Sequence, residues 1–403
     1  MTTQSAAALD ARSRRNVWIL AVAQSLVMIG TSTMIAEAAL VGYMLAENKS
    51  FATLPVGLMQ LAAMLTTFPA SFLMKRYGRR FGFTVGAAFG LAGQVVCVWG
   101  IFDGSFLLFC AGSMLNGVYN GVGLFYRFAA ADGVPAAARG KAISFVLAGG
   151  VVAGVIGPEM ARLTHDLFAP VAFVGSFVAL SVVSVLALAV VQFIDIPVPA
   201  GEERTGATRP MAAILGQPKA AVAIFSGIAA YSVMSLVMNA TPLAMVACGL
   251  SFGDAARTIQ AHVLAMFVPS FFTGTIIARF GLLNVMKAGA VILVASAAVV
   301  LAGLDFWNFY VGLILLGLGW NFLYIGATTL LTETYTPSEK AKTQAANDFI
   351  VFGTVAAAAA ASGWMQNTVG WAAINLGALP VVAGAFVALL WLAARTRRAA
   401  AAD

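Results

Sequence analysis

Charge is scarce in this chain: 10% of its 403 residues are Asp, Glu, Lys or Arg, against 61% that are apolar. A soluble domain carries about 25% charged residues, so a water-facing globular surface is excluded. Histidine and cysteine are nearly absent as well. His165 and His262, with Cys97, Cys110 and Cys248, are too few for a disulfide framework or a zinc centre built from clustered thiolates and imidazoles. Cys97 and Cys110 fall at similar depth on neighbouring apolar runs and read as small apolar fillers or as a thiol pair. No phosphate-binding loop or nucleophile constellation is present, so neither direct ATP coupling nor an enzymatic activity is expected, and no prosthetic group is implied.

What fills the chain instead is a succession of apolar runs, each long enough to cross a bilayer as a helix. They are roughly 17–44, 52–74, 81–101, 105–127, 142–162, 170–194, 220–246, 256–278, 286–303, 306–331, 345–364 and 372–394. The reading is an all-α membrane protein of twelve transmembrane helices. Threading these runs back and forth puts 20 of the 23 Lys and Arg residues on one side, leaving Lys49, Arg162 and Arg257 for the other. Basic residues concentrate in cytoplasmic loops, so both termini are expected in the cytoplasm of a multi-pass inner-membrane protein. The net charge of +7 is then topological, and no nucleic-acid partner is implied. The first apolar run is too long for the core of a cleaved signal peptide.

The longest polar interruption, 195–219, reads as a cytoplasmic linker between six-helix halves at 1–194 and 220–403. Internal matches support a duplication. Ser71 to Gly78 (SFLMKRYG) pairs with Gly274 to Gly281 (GTIIARFG), an offset of 203 from 281 minus 78, and the segment with Pro135, Arg139 and Lys141 pairs with Pro337, Lys340 and Lys342. The first of these segments resembles a signature of the major facilitator superfamily: Lys75, Arg76, Gly78, Arg79 and Arg80 match its gate motif, with lysine standing where that family has an acid. A glycine-proline run, Gly149, Gly150, Gly154, Gly157 and Pro158, is similar to a further feature of the family. The resemblance implies a major facilitator fold and secondary transport by alternating access, with the bilayer as the surroundings of a monomer.

Polar residues inside spans are the usual pointers to cargo and coupling, because a charge in hydrocarbon must be offset. Glu37 and Glu159 are candidates to carry a proton or cation. For Glu159 the competing reading is a local pair with Arg162, three residues on; Asp348 is read as resting on the positive end of its own helix.

Two methionine-bearing motifs are more specific. Met234 and Met238, and His262 and Met266, are each four residues apart and so share a helix face. Counted from the outer surface at 1.5 Å per residue, Met238 falls roughly 12 Å deep and Met234 roughly 18 Å, beside His262 at roughly 9 Å and Met266 at roughly 15 Å. Met245 and Cys248 extend the series toward the outer mouth as approach or relay residues. Thioether and imidazole suit Cu(I), and core packing is the alternative. The segment His262 to Gly274 (HVLAMFVPSFFTG), with the methionine pair ahead of it, resembles the CcoA-like branch of the superfamily. That resemblance implies copper import for bacterial cytochrome oxidase biogenesis, with copper as the transported substrate and copper chaperones as possible partners. The same branch is similar to riboflavin transporters. For such an aromatic cargo the candidate cavity residues are Asn116, Tyr119 and Asn120 in one half and Trp320, Asn321 and Tyr324 in the other. A third reading, a membrane metal sensor or assembly factor that does not transport, stands behind these two.

Overall fold

The computed structural model describes residues 11–132, 134, 142, 145–196, 209–336 and 339–402, and these are helical with short connections. In chain order the helices are α1 (Ala11–Leu45), α2 (Leu54–Tyr77), α3 (Arg79–Phe102), α4 (Phe106–Gly123), α5 (Tyr126–Asp132), α6 (Gly149–Thr164), α7 (Val174–Val191), α8 (Met211–Leu215), α9 (Pro218–Ala247), α10 (Phe252–Phe267), α11 (Ser270–Phe280), α12 (Leu282–Leu301), α13 (Phe306–Thr332), α14 (Lys340–Thr368) and α15 (Gly370–Ala402). Among the described residues 11 helices are long and apolar enough to cross a membrane, or up to 12 if one bent pair counts as a span. That pair is α10 and α11, inclined at 45°. The straight span expected at 256–278 is therefore broken, because Pro269 cannot donate an amide to the turn before it.

The chain forms two compact units, Met1–Ala46 with Leu58–Gly201, and Glu47–Gly57 with Glu202–Asp403. This corrects the expected division at one place: the connection before α2 belongs with the second unit. Thr53 explains it, donating its hydroxyl to the Ala360 carbonyl at 3.1 Å and accepting from the Gly363 amide at 2.7 Å. The linker is also shorter than 195–219. Its first residue is held to α1, where Arg12 donates to the Asp195 carboxylate at 2.7 Å and Asn16 to its carbonyl at 2.8 Å. From Arg209 onward the chain is fastened within the second unit, with Ile214 of α8 fully buried. Residues 197–208 lie outside the described residues.

Each unit repeats one packing scheme. The most extensive pair in the first is α3 with α4, and in the second α12 with α13. Both close through glycine: a Cβ on Gly93 would sit 2.8 Å from the Gly112 carbonyl, and one on Gly289 would sit 2.9 Å from the Gly319 carbonyl. The second expected repeat match is only partly described, since Pro135, Arg139, Lys141 and Pro337 lie outside the described residues. The glycine run of α6 seats that helix on α1, where a Cβ at Gly157 would meet the Ser32 Cβ at 2.7 Å. Asp348 is the ninth residue of α14, past the first turn over which a helix end stabilises an acid.

Candidate functional site

In the first unit, the gate motif occupies the junction of α2 and α3. Gly78 is the single residue between them, at φ +87°. Arg76 lies over the Tyr77 ring at 5.3 Å, Arg79 donates to the Met74 sulfur at 3.4 Å, and Arg80 is exposed. The side chain of Lys75 is outside the described residues.

Asn116, Tyr119 and Asn120 of α4 come together on a small polar cavity of this unit, with room for about one water. Two residues not anticipated from sequence complete it. Gln94 of α3 donates to Asn116 Oδ1 at 2.8 Å, and Thr31 of α1 lies 2.8 Å from Asn120 Oδ1. Among the described residues the buried Gln94 carbonyl oxygen has no hydrogen-bond partner. A lone amide in the middle of an apolar span was the available signal for Gln94.

In the second unit, α13 presents Trp320 and Tyr324 one turn apart, ring centroids 5.0 Å from each other and planes inclined 17°. Tyr231 of α9 closes on both, at 5.3 and 5.0 Å, and Phe352 of α14 meets Tyr231 at 5.5 Å. Phe267, the last residue of α10, approaches Trp320 edge-on at 6.3 Å. Tyr231, Phe267 and Phe352 escaped the sequence reading because single aromatics in apolar helices carry no spacing signal. The Trp320 Nε1–H is buried with no acceptor among the described residues. Asn321 departs from expectation. Its amide donates to the Met266 carbonyl at 2.6 Å and to Ser270 at 2.7 Å, while its oxygen accepts from Thr273 at 2.6 Å. It is fully engaged in bridging the α10–α11 break and is not a cavity residue.

Met234, Met238, His262 and Met266 are all buried in the same unit, with His262 fully so. His262 Nδ1 lies 2.8 Å from the Leu313 carbonyl. A carbonyl can only accept, so Nδ1 carries the proton and Nε2 an unshared pair, and Nε2 meets no donor among the described residues. Met245 is fully buried and does not open to the surface, whereas Cys248 is exposed. Among the described residues no three or more His, Cys, Asp or Glu side chains gather as a metal site, so a metal here would depend on thioethers.

Of the acids, Glu159 is held by Arg162 at 2.5 Å. Glu37 is fully buried and accepts from Ser176 at 2.6 Å. Cys97 and Cys110 are buried free thiols.

The sequence profile of the Major Facilitator Superfamily matches residues 18–302. The chain belongs to the major facilitator superfamily. It is a multi-pass membrane protein and a secondary transporter of that type. Within the superfamily it is 42% identical over 382 residues to the riboflavin transporter RfnT of Brucella anthropi, covering 94% of this chain and 96% of that one. It is 27% identical to the uncharacterized MFS-type transporter YdeG of Bacillus subtilis, over 90% of this chain and 88% of the relative. Among solved structures, the nucleoside transporter NupG superposes with a TM-score of 0.73 at 14% identity, covering 93% of this chain and 99% of that one. A POT family peptide transporter gives 0.68 at 11% identity, over 95% and 97%. These two share the fold. The relatives support the superfamily but not the copper-importing branch that the methionine motifs suggested.

Proposed function

We propose that this major facilitator protein imports riboflavin across the bacterial cytoplasmic membrane, both termini lying in the cytoplasm. The observation that carries the reading is the 42% identity to a riboflavin transporter over nearly the whole of both chains. The aromatic cluster on α9, α13 and α14 supplies a physical basis. An isoalloxazine ring is planar and offers carbonyl acceptors. Trp320 and Tyr324 offer π faces, and the unpartnered Trp320 Nε1–H offers a donor at their edge. Riboflavin is uncharged, which suits a cluster built from aromatic rings; a phosphorylated flavin would call for a cation beside it.

A second reading rests on His262. With Nδ1 fixed to a carbonyl and a bare Nε2, the ring is oriented as metal-ligating histidines are. With Met234, Met238 and Met266 it offers the soft neutral donors that Cu(I) accepts.

Radiotracer uptake of riboflavin and of copper, run in cells lacking their own transporters and at matched membrane abundance, separates the two. The flavin reading expects riboflavin accumulation that falls at least about tenfold in Trp320→Ala and Tyr324→Ala, about 1.4 kcal/mol or more, and survives in His262→Ala. Copper accumulation lost in His262→Ala and Met234→Ala, with no flavin uptake by the parent, overturns it.

A further inference from the structure

Glu37 serves neither cargo reading. It lies on α1 where α6 and α7 pack against that helix, with no exposed surface. The Ser176 hydroxyl donates to its Oε1 at 2.6 Å, and its Oε2 has no hydrogen-bond partner among the described residues. Ser176 in turn lies 3.0 Å from Thr164 Oγ1, which also reaches the Met160 carbonyl at 2.6 Å. Thr164 is the last residue of α6 and Ser176 the third of α7. The hydroxyls therefore lead from the buried carboxyl toward the loop end of both helices. His165 and Asp166 follow there, with His165 Nε2 2.9 Å from the carboxylate of Asp166, whose side chain is 72% exposed.

Nothing nearby would hold Glu37 as an anion. On α6, Glu159 and Arg162 are joined to each other at 2.5 and 3.0 Å. On α7 there is no acid or base. The remaining groups on contacting helices are Cys110 and Tyr119 of α4 and Tyr126, Arg127 and Asp132 of α5, while α1 itself carries Arg12, Arg14, Arg15 and Tyr43. Among the described residues, Ser176 is the hydrogen-bond partner of Glu37, and no cation pairs with it. An ionised carboxylate in that setting has one donor for a full charge, whereas the neutral acid leaves a single unpaired hydroxyl. This packing suits the neutral acid better than the anion. Ionisation favours states in which the junction admits water.

We propose that Glu37 is the proton-binding site of this transporter, loaded through Ser176 and Thr164, so that cargo movement is coupled to proton movement. In loading, the Ser176 hydroxyl passes its proton to Oε1 of the ionised carboxylate and takes one from Thr164 Oγ1. Bulk water at the loop end restores the Thr164 proton. Unloading gives the carboxyl proton to water that reaches Glu37 from the opposite face once the helices have rocked, so one proton crosses in each cycle and no other bond is changed. The seam between α1 and α6 suits such a cycle, because glycines at 149 and 157 bring the helices together without interlocking side chains. The proposal rests on the chain being a secondary transporter; the flavin reading enters only one arm of its test.

The test uses the full-length protein reconstituted in vesicles, comparing the parent with Glu37→Gln and Ser176→Ala. Infrared difference spectra across a pH jump report the carbonyl stretch of a protonated carboxyl without any cargo. That band should be present in the parent, absent in Glu37→Gln, and slower to titrate in Ser176→Ala. In the same vesicles, riboflavin exchange at equal pH should stay within about twofold in Glu37→Gln, while accumulation driven by a pH difference falls at least about tenfold. An unchanged band in Glu37→Gln, or gradient-driven accumulation equal to the parent's, overturns the proposal. A parent that moves no riboflavin overturns the flavin reading, and the infrared arm then decides the proton site by itself.

Discussion

Trp320 and Tyr324 stack at 5.0 Å with their planes 17° apart, so one turn of α13 holds two aromatic faces in register. Replacing Trp320 by Phe keeps a ring and removes the Nε1 donor. A hydrogen bond to a cargo carbonyl contributes about 1 kcal/mol, so Phe should weaken riboflavin uptake about fivefold and Ala more. Apparent affinity from competition with unlabelled flavin is the measurement.

Gly317 is where α10 settles on α13. A Cβ there would come within 2.6 Å of the His262 carbonyl and 3.1 Å of the Met266 amide. Gly317→Ala should therefore cost about 1–3 kcal/mol by overpacking, read as a lower unfolding temperature in detergent. Transport activity should fall with it, since Asn321 ties the same contact to the helix break.

Gly78 and Gly281, 203 residues apart, each form the one-residue joint between two spans, at φ +87° and +84°. Their ψ values of 164° and 143° place both in a region that only glycine occupies readily. Alanine at either joint should cost about 1–3 kcal/mol. Equal losses of folded protein at the two positions, measured by fluorescence-detected gel filtration, are expected from the duplicated geometry.

Glu339 fastens the returning chain to the second unit. The Arg209 guanidinium, donating at 2.7 and 2.8 Å, and then the Thr336 amide hold its carboxyl well below the ordinary range. A depressed carboxyl contributes its stabilisation fully above the ordinary carboxylate pKa of about 4.3. The contribution is lost as pH falls through the depressed value. The protection of the Met211–Leu215 amides, their exchange rate relative to the unprotected rate at the same pH, should therefore be high at neutral pH and fall progressively as the solution is acidified below about pH 4. Glu339→Gln should show the lower protection already at neutral pH.

The class of this protein was legible because hydrocarbon imposes a one-dimensional rule: each crossing needs an apolar run of fixed length. Nearly every span could be bounded from composition. The repeat was legible too, since SFLMKRYG and GTIIARFG preserve the glycine at each joint and the cation over the preceding ring, Arg76 on Tyr77 and Arg279 on Phe280, both at 5.3 Å. Residue types in the site were less legible. Asn321 and Asn116 look equivalent along their spans, yet one bridges a broken helix while the other shares a cavity with Gln94.

Sequence alone determined the membrane class, the duplicated plan and the short set of polar residues from which function had to come, because periodicity and the cost of burying charge act along the chain. Tertiary structure decided which of those residues are spent on packing. It alone placed Pro269 at a 45° break, showed His262 committing Nδ1 to Leu313, and assembled Tyr231 and Phe267 around Trp320 with Phe352 behind Tyr231. These are contacts between helices, and their register depends on which glycines let neighbouring backbones approach, a three-dimensional condition that no single helix records.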